Sequence, residues 1–413
     1  MSQDKSHSCL LSHSRKSRSL LSLVKSHAAL DRHVLPRLSS VRLQSEKELL
    51  LARHAQTAGM KVYAVTGGGG FIGSYIVRAL LQCERTLIEL RVIDVRWGTK
   101  VSSRNVNVVY IYCDVCDTAR LCAALEGVDV LIHTAGLVDV MGEYSEDEIY
   151  RANVHGTHSA LSACVCAGVR FVVYTSSMEV VGPNMRAEPF VGDEKTEYES
   201  CHQHCYPRSK AEAEELVLSS NGRRVRGGQR MLTCALRPPG VYGEGNQLLL
   251  RLAKNYVRMG LHVPRTVCEN ALQSRVYVGN VAWMHVLAAR ALQEPDSRLP
   301  GNAYFCYDHS PCMDYEAFNV MLLRSFGVEL GGPRLPRALL TVAAYTNAAL
   351  QWLLRQLGIR FSPLLNPYTL AVANACFVIR TRKAREHMGY EPIHNWKQSR
   401  KNTTRWLRSQ LAS

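Results

Sequence analysis

The chain has 413 residues, enough for two to three domain-sized units or one large domain with an elaboration. Hydrophobic residues make up 46% and charged residues 21%, which excludes a disordered or collagen-like chain. The formal net charge of +15 favours anionic partners, and 14 cysteines are too dilute for a disulfide scaffold, so reduced thiols facing a cytosol are expected.

The first 60 residues carry ten Lys/Arg against four Asp/Glu, with twelve serines. The best apolar run there, Leu20–Val24, is too short for a secretory signal. An Arg/Ser-rich, acid-poor leader has the look of a mitochondrial transit peptide, and equally of a disordered tail. Met60 stands immediately before the first strand, so translation starting there is a third reading. Residues 1–59 are therefore set apart from the fold.

Lys61–Thr66 reads as a short apolar strand. Gly67-Gly-Gly-Gly70-Phe71-Ile-Gly73 follows, and Ser74–Gln82 repeats its apolar residues at helical spacing. Strand, glycine turn and helix in that order suit a dinucleotide. Gly67 permits the tight turn, Gly70 lets backbone approach a pyrophosphate, and Gly73 allows helix and strand to pack closely. The amides at the helix start face the phosphates. A second strand, Leu90–Asp94, puts a carboxylate 21 residues after Gly73, where it meets the adenosine ribose hydroxyls and repels a 2′-phosphate. That favours NAD over NADP, although Arg91 and Arg96 stand nearby.

A third strand, Val106–Tyr112, leads to Asp114, a candidate for the adenine edge. The fourth, Val128–Ile132, ends at His133-Thr-Ala-Gly136. The fifth, Arg170–Tyr174, ends at Thr175-Ser-Ser177. Strands alternating with helices imply a parallel, doubly wound Rossmann sheet.

Tyr206-Pro-Arg-Ser-Lys210 opens the next helical stretch, Ala211–Leu218, with Pro207 suited to the first helical position. Tyr206 and Lys210 share one face. A free tyrosine is too weak a base at neutral pH. A cation about 4 Å away, at an effective dielectric near 20, is worth roughly 4 kcal/mol, or about three pKa units. Lys210 is thus expected to make Tyr206 a usable base, with Ser177 fixing the substrate oxygen.

Thr66-Gly67-x-x-Gly70-Phe71-x-Gly73, Ser177, Tyr206-x-x-x-Lys210 and Leu236-Arg-Pro-x-x-x-Tyr242-Gly243 resemble the extended short-chain dehydrogenase/reductase superfamily. Tyr174-Thr-Ser-Ser-Met-Glu-Val-Val-Gly-Pro-Asn184 and Arg275-Val-Tyr-Val-Gly-Asn-Val-Ala-Trp283 are similar to the 3β-hydroxysteroid dehydrogenase/Δ5–Δ4 isomerase family. His133–Val140, Val278–Arg290 and Leu364–Asn374 resemble that family's bile-acid branch, whose substrates are 27-carbon steroids. The resemblance spans about residues 61–405. It implies NAD-dependent oxidation of the 3β-hydroxyl of a 7α-hydroxylated sterol, followed by Δ5 to Δ4 migration. It makes Tyr206 the base and Ser177 the group that orients the hydroxyl. Lys210 lowers the tyrosine pKa and binds the nicotinamide ribose. The isomerase base stays unassigned. Asn280 stands where many short-chain enzymes carry an acid, and the branch shares the Asn.

Cys113-Asp-Val-Cys116 has redox or zinc-like spacing, but no second pair follows, so two small apolar residues are the simpler reading. Cys201-His-Gln-His-Cys205 offers four candidate ligands, and a substrate-entry loop is again simpler than a metal site. Ala338–Leu354 is an uncharged run of 17 residues between Arg337 and Arg355, at the short edge of a bilayer span. Asn347, Gln351 and Arg355 stripe one face, which argues for a helix lying in, or partly entering, a membrane. With the family's endoplasmic-reticulum association, a membrane-bound enzyme is expected, and a homodimer is compatible. Expected units are a Rossmann domain over 60–245 and a substrate region over 246–413. A decarboxylating sterol-4α-carboxylate dehydrogenase and a non-catalytic NAD sensor are the alternatives. A sugar-nucleotide epimerase fits the apolar C-terminal region less well. Nucleic-acid binding lacks interleaved aromatics and a reading module.

Overall fold

A computed structural model describes residues 59–182, 188–200, 202, 204–268 and 270–412. The leader expectations fall on residues outside these.

The chain opens with β1 (Lys61–Thr66), α1 (Phe71–Cys83), β2 (Leu87–Asp94), β3 (Asn107–Tyr112), α2 (Thr118–Ala124) and β4 (Val130–His133). α3 (Glu146–Tyr150) runs through a π-turn, Arg151–His155, into α4 (Gly156–Ala167), and β5 (Phe171–Thr175) follows. After β6 (Phe190–Gly192) come α5 (Cys205–Ser219), β7 (Leu232–Arg237), β8 (Gly240–Tyr242), α6 (Gln247–Arg258) and β9 (His262–Arg265). Then follow β10 (Arg275–Tyr277), α7 (Val278–Leu292), β11 (Asn302–Phe305), α8 (Tyr315–Leu323) and β12 (Glu329–Arg334). The last elements are α9 (Arg337–Gln356), α10 (Pro367–Asn374), β13 (Phe377–Ile379), α11 (Lys383–Met388) and α12 (Trp396–Leu411).

Seven strands form one sheet in the order β11-β7-β5-β4-β1-β2-β3, and every pairing is parallel. Side-chain alternation splits each strand between two cores. Tyr63, Val65, Val92 and Ile132 pack with Ile76 and Leu80 of α1 and Val281 of α7. Ala64, Ile93, Leu131 and Val172 face the other way, against Leu121 of α2, Leu161 of α4 and Val217 of α5. Of the five expected strands, β1, β4 and β5, at the centre of the sheet, are therefore buried on both faces, as their near-continuous apolar runs require, whereas β3 at the edge is only half-buried. Two further strands extend the sheet, and β11 comes from beyond residue 245. The C-terminal chain thus re-enters the Rossmann layer, and a third core gathers Tyr242, Leu250, Phe318 and Leu407.

Two local readings change. Pro207 is the third helical residue, not the first, because His204 caps α5 through its ring and the helix starts at Cys205. The thiols are not all free. Cys122 of α2 and Cys166 of α4 form a disulfide, because these neighbouring helices bring their Cα atoms to 6.1 Å.

Among the described residues no helix is long and apolar enough to cross a membrane. The polar stripe on α9 faces protein. Asn347 donates to the Leu365 carbonyl at 2.9 Å, and Gln351 donates to the Met141 and Gly142 carbonyls at 2.8 and 2.9 Å. Leu340 and Ala344 are buried beside them.

Candidate active site

The glycine turn is built as its spacing predicts. Gly67 has φ +68°, and a Cβ there would lie 2.7 Å from the Ala135 backbone. Gly73 is tighter still, since a Cβ would meet the Gly67 carbonyl oxygen at 2.0 Å. Gly73→Ala is expected to cost more than the about 1–3 kcal/mol of ordinary overpacking, because the obstacle is backbone. Thermal unfolding of the variant checks this. Gly70 is the N-cap of α1 and brings no capping side chain, so amides of the first turn stay available to an anion. Phe71 packs edge-on against Tyr75, with ring centroids 6.2 Å apart.

Asp94 ends β2 beside this turn. One carboxylate oxygen accepts the Gly69 N–H at 2.8 Å, and the other accepts the Arg96 N–H at 3.0 Å. Arg91 turns away, binding Glu89 at 2.7 Å and the Ala124 and Glu126 carbonyls. It is therefore spent, and only Arg96 remains near the carboxylate. The glycine turn and Asp94 fit a dinucleotide with free ribose hydroxyls. Asp114, at the end of β3, pairs with Arg151 at 2.6 Å and accepts the Cys116 N–H at 2.9 Å. Burial pushes its carboxyl pKa up, but these two hydrogen bonds outweigh that and hold it below the usual value.

Ser177 and Tyr206 come together from different elements. Ser177 follows β5 in extended conformation, and its hydroxyl accepts the Glu179 N–H at 3.2 Å. Tyr206 is buried in the first turn of α5, and its phenol hydrogen-bonds Ser177. Lys210 lies one turn on, but its ammonium does not serve Tyr206 directly. It donates to the Tyr174 hydroxyl at 2.7 Å and the Thr175 carbonyl at 2.6 Å. Burial pushes the Tyr206 phenol well above its ordinary pKa, the Glu179 charge raises it further, and the Ser177 bond opposes both. The expected lowering by Lys210 is thus corrected. Desolvation wins in this pocket, and it also pushes Lys210 down to about 7, against the pull of Glu214.

The sequence did not single out Glu179. It follows Ser177 by two residues, in the short 3₁₀ turn Met178–Val180. The Tyr368 hydroxyl of α10 donates to its carboxylate. Burial lifts the Glu179 pKa to about 7, and the Tyr368 bond works against the rise. Tyr368 also stacks on His204, with ring centroids 4.1 Å apart. An acid two residues past the Thr-Ser-Ser strand end was the available signal, and its partner came from a distant segment.

Two struts were also missed. Asn153, in the π-turn, donates to the Leu137 carbonyl at 3.0 Å and to Ser209 at 2.9 Å. It fastens the chain after β4 to α5, and π-turns recur at functional sites. His133 bridges Thr66 and Thr157 at 2.7 and 3.1 Å. Burial, with the Lys210 charge adding, pushes it down to about 3, so it is neutral there. Asn280 proves to be a bracket. It donates to Asp308 and the His394 carbonyl and accepts the His394 N–H, a set no carboxylate could satisfy. Of the Cys201–Cys205 segment, residues 201 and 203 lie outside the described residues. His202 meets the Val180 carbonyl at 3.1 Å, and Cys205 points its thiol at the Glu146 carbonyl. The Cys116 thiol donates to the Arg151 carbonyl at 3.1 Å.

A parallel doubly wound sheet, a glycine turn answered by Asp94, and a Ser–Tyr pair on a helix that carries Lys210 define a short-chain dehydrogenase/reductase. The sequence profile of the 3-beta hydroxysteroid dehydrogenase/isomerase family matches residues 64–337. The chain belongs to that family. It is 51% identical over 358 residues to the human 3 beta-hydroxysteroid dehydrogenase type 7, covering 85% of this chain and 97% of that protein. It is 44% identical over 349 residues to a 3 beta-hydroxysteroid dehydrogenase/Delta 5→4-isomerase of vaccinia virus (strain Ankara), covering 84% and 99%. Among solved structures, MoeE5 in complex with UDP-glucose and NAD superposes with a TM-score of 0.59 at 21% identity, covering 84% of this chain and 99% of that one. That likeness speaks for the fold.

Proposed function

We propose that the chain oxidises the 3β-hydroxyl of 7α-hydroxylated Δ5 27-carbon sterols with NAD and moves the double bond from Δ5 to Δ4, in bile acid synthesis at the endoplasmic reticulum membrane. The observation that carries this is the buried Ser177–Tyr206 pair with Glu179 beside it. Kinship with the type 7 proteins supports the 3β-hydroxysteroid chemistry, and the choice of sterol rests on the resemblance of His133–Val140, Val278–Arg290 and Leu364–Asn374 to the bile-acid branch.

The residues divide the work. Gly67, Gly70, Phe71 and Gly73 shape the pyrophosphate turn, Asp94 takes the adenosine ribose, Asp114 sits at the adenine end, and Lys210 reaches the nicotinamide ribose. Bound NAD supplies the acceptor for the C3 hydride and a positive charge near the alcohol. Ser177 orients the hydroxyl, and Tyr206 removes its proton. The 3-ketone makes the C4 protons acidic. Glu179 takes one of them, breaking a C4–H bond, and returns a proton to C6 as the double bond shifts. Tyr368 holds the carboxylate in place by a hydrogen bond.

Asp94→Ala is expected to weaken NAD about tenfold, the scale of one charge-assisted hydrogen bond, and NADP much less. An unchanged ratio of the two dissociation constants would remove the ribose contact.

The membrane reading rests on α9. Its outward face exposes Leu339, Val342, Tyr345, Trp352 and Leu353, with Val342 64% and Trp352 66% exposed. A contiguous apolar face of this kind, flanked by Arg337 and Arg355, suits a helix lying in the lipid interface.

The test is NADH formation by membrane-bound protein given NAD and 7α-hydroxycholesterol, with pregnenolone in parallel and products analysed for the Δ4-3-ketone. Turnover of the 7α-hydroxysterol alone supports the proposal. Turnover of pregnenolone moves the chain to hormone-forming chemistry. Silence with both, despite NAD binding, favours a 4-carboxysterol substrate or a sensor.

A further inference from the structure

The cations of α6 lie on one face. Arg251, Lys254 and Arg258 follow at three- and four-residue spacing, so they stack along the helix. Between them and Ser362–Leu364 lies an open groove of about 480 Å³. Arg251 is already engaged, with one guanidinium nitrogen on Glu143 at 2.6 Å and another on the Ser362 carbonyl and hydroxyl. It fastens the two walls together. Lys254 and Arg258 are exposed, and neither pairs with a carboxylate among the described residues. Among the described residues no carboxylate lines the groove, while Leu250, Pro363 and Leu364 give it an apolar side.

The far wall is the chain that leaves α9. Leu357 and Ile359, which follow that helix, are exposed, as are Arg355 and Arg360. The groove and the apolar face of α9 are therefore joined by a few residues. We propose that the α6 groove is a binding site for the phosphate headgroup of an anionic phospholipid, which sets the protein on the membrane surface together with α9. This rests on the membrane reading given above. Two unpaired cations recognise the phosphate, and the apolar wall covers the glycerol and first acyl carbons. A free phosphate would leave that wall bare.

The experiment is co-sedimentation of the full chain with vesicles of phosphatidylcholine alone, and with a minority of phosphatidylserine added. Wild-type protein is expected to bind the first through α9 and the second about tenfold more tightly, with the gain falling as salt rises. Lys254→Glu/Arg258→Glu should bind phosphatidylcholine as before and lose the gain. Turnover of a detergent-dispersed substrate should be unchanged, which confirms that the variant is folded. A gain that survives in the double variant overturns the proposal. So does a gain abolished by inorganic phosphate at constant ionic strength, which would mark a free-phosphate site. Failure of the α9 reading is separate, and it shows as no binding to phosphatidylcholine and no effect of Trp352→Glu. Absence of binding to either vesicle removes both.

Discussion

Tyr206→Phe is expected to bind NAD normally and to lose turnover by about 10²–10⁴-fold, the usual worth of a positioned general base. Removing one oxygen leaves the ring, the packing and the helix untouched. The structure sharpens this expectation. Burial holds the Tyr206 phenol above its ordinary pKa and Glu179 raises it further, so the pocket alone does not make a base. The oxidised cofactor's positive charge beside the phenol is expected to supply the difference. The fall should therefore appear in kcat rather than in cofactor affinity. Stopped-flow NADH formation with cofactor binding measured alongside separates the two, and unaltered turnover would remove Tyr206 as base.

Glu179→Gln should split the two activities. Oxidation is expected to persist, while isomerisation falls by about 10²–10⁴-fold and the Δ5-3-ketone accumulates. Glutamine keeps the volume and can still accept the Tyr368 hydrogen bond, but it cannot carry a proton to C6. In the wild type the working form is the carboxylate, so isomerisation should rise with pH through about 7 and then level off. Stability runs the other way. The folded pKa lies above the unfolded value of about 4.5. Stability from the neutral acid is complete below that value and is lost as pH rises through 7. The variant should accordingly gain up to about 3 kcal/mol over wild type at alkaline pH, on a shift of about 2.5 units. Product ratios across pH, with unfolding curves at both ends, test both signs. Isomerisation intact in the variant would send the search for the base elsewhere.

The residues legible in the sequence are those whose meaning is local. Gly67, Gly70 and Gly73 declare a turn, Asp94 follows at a fixed distance, and Tyr206 and Lys210 sit one helical turn apart. What sequence spacing cannot give is where a long side chain ends. The spacing of Tyr206 and Lys210 is right, yet the lysine reaches Tyr174 and Thr175, which only the packing of β5 against α5 decides. Glu179 meets Tyr368 across 189 residues, and no periodicity links them. Asn347 and Gln351 were legible as a stripe but not in direction, because a polar face can seek water or carbonyls. The disulfide between Cys122 and Cys166 likewise depends on two helices lying side by side.

That inward stripe has a further consequence. Asn347 and Gln351 tie α9 to Leu365 and to the loop at Met141–Gly142, and twelve residues after α9 the same strand of chain delivers Tyr368 to Glu179. Under the proposed membrane seat of α9 and the proposed proton transfer by Glu179, anchor and acid share one short tether, and a bilayer that shifts α9 is expected to retune the acid.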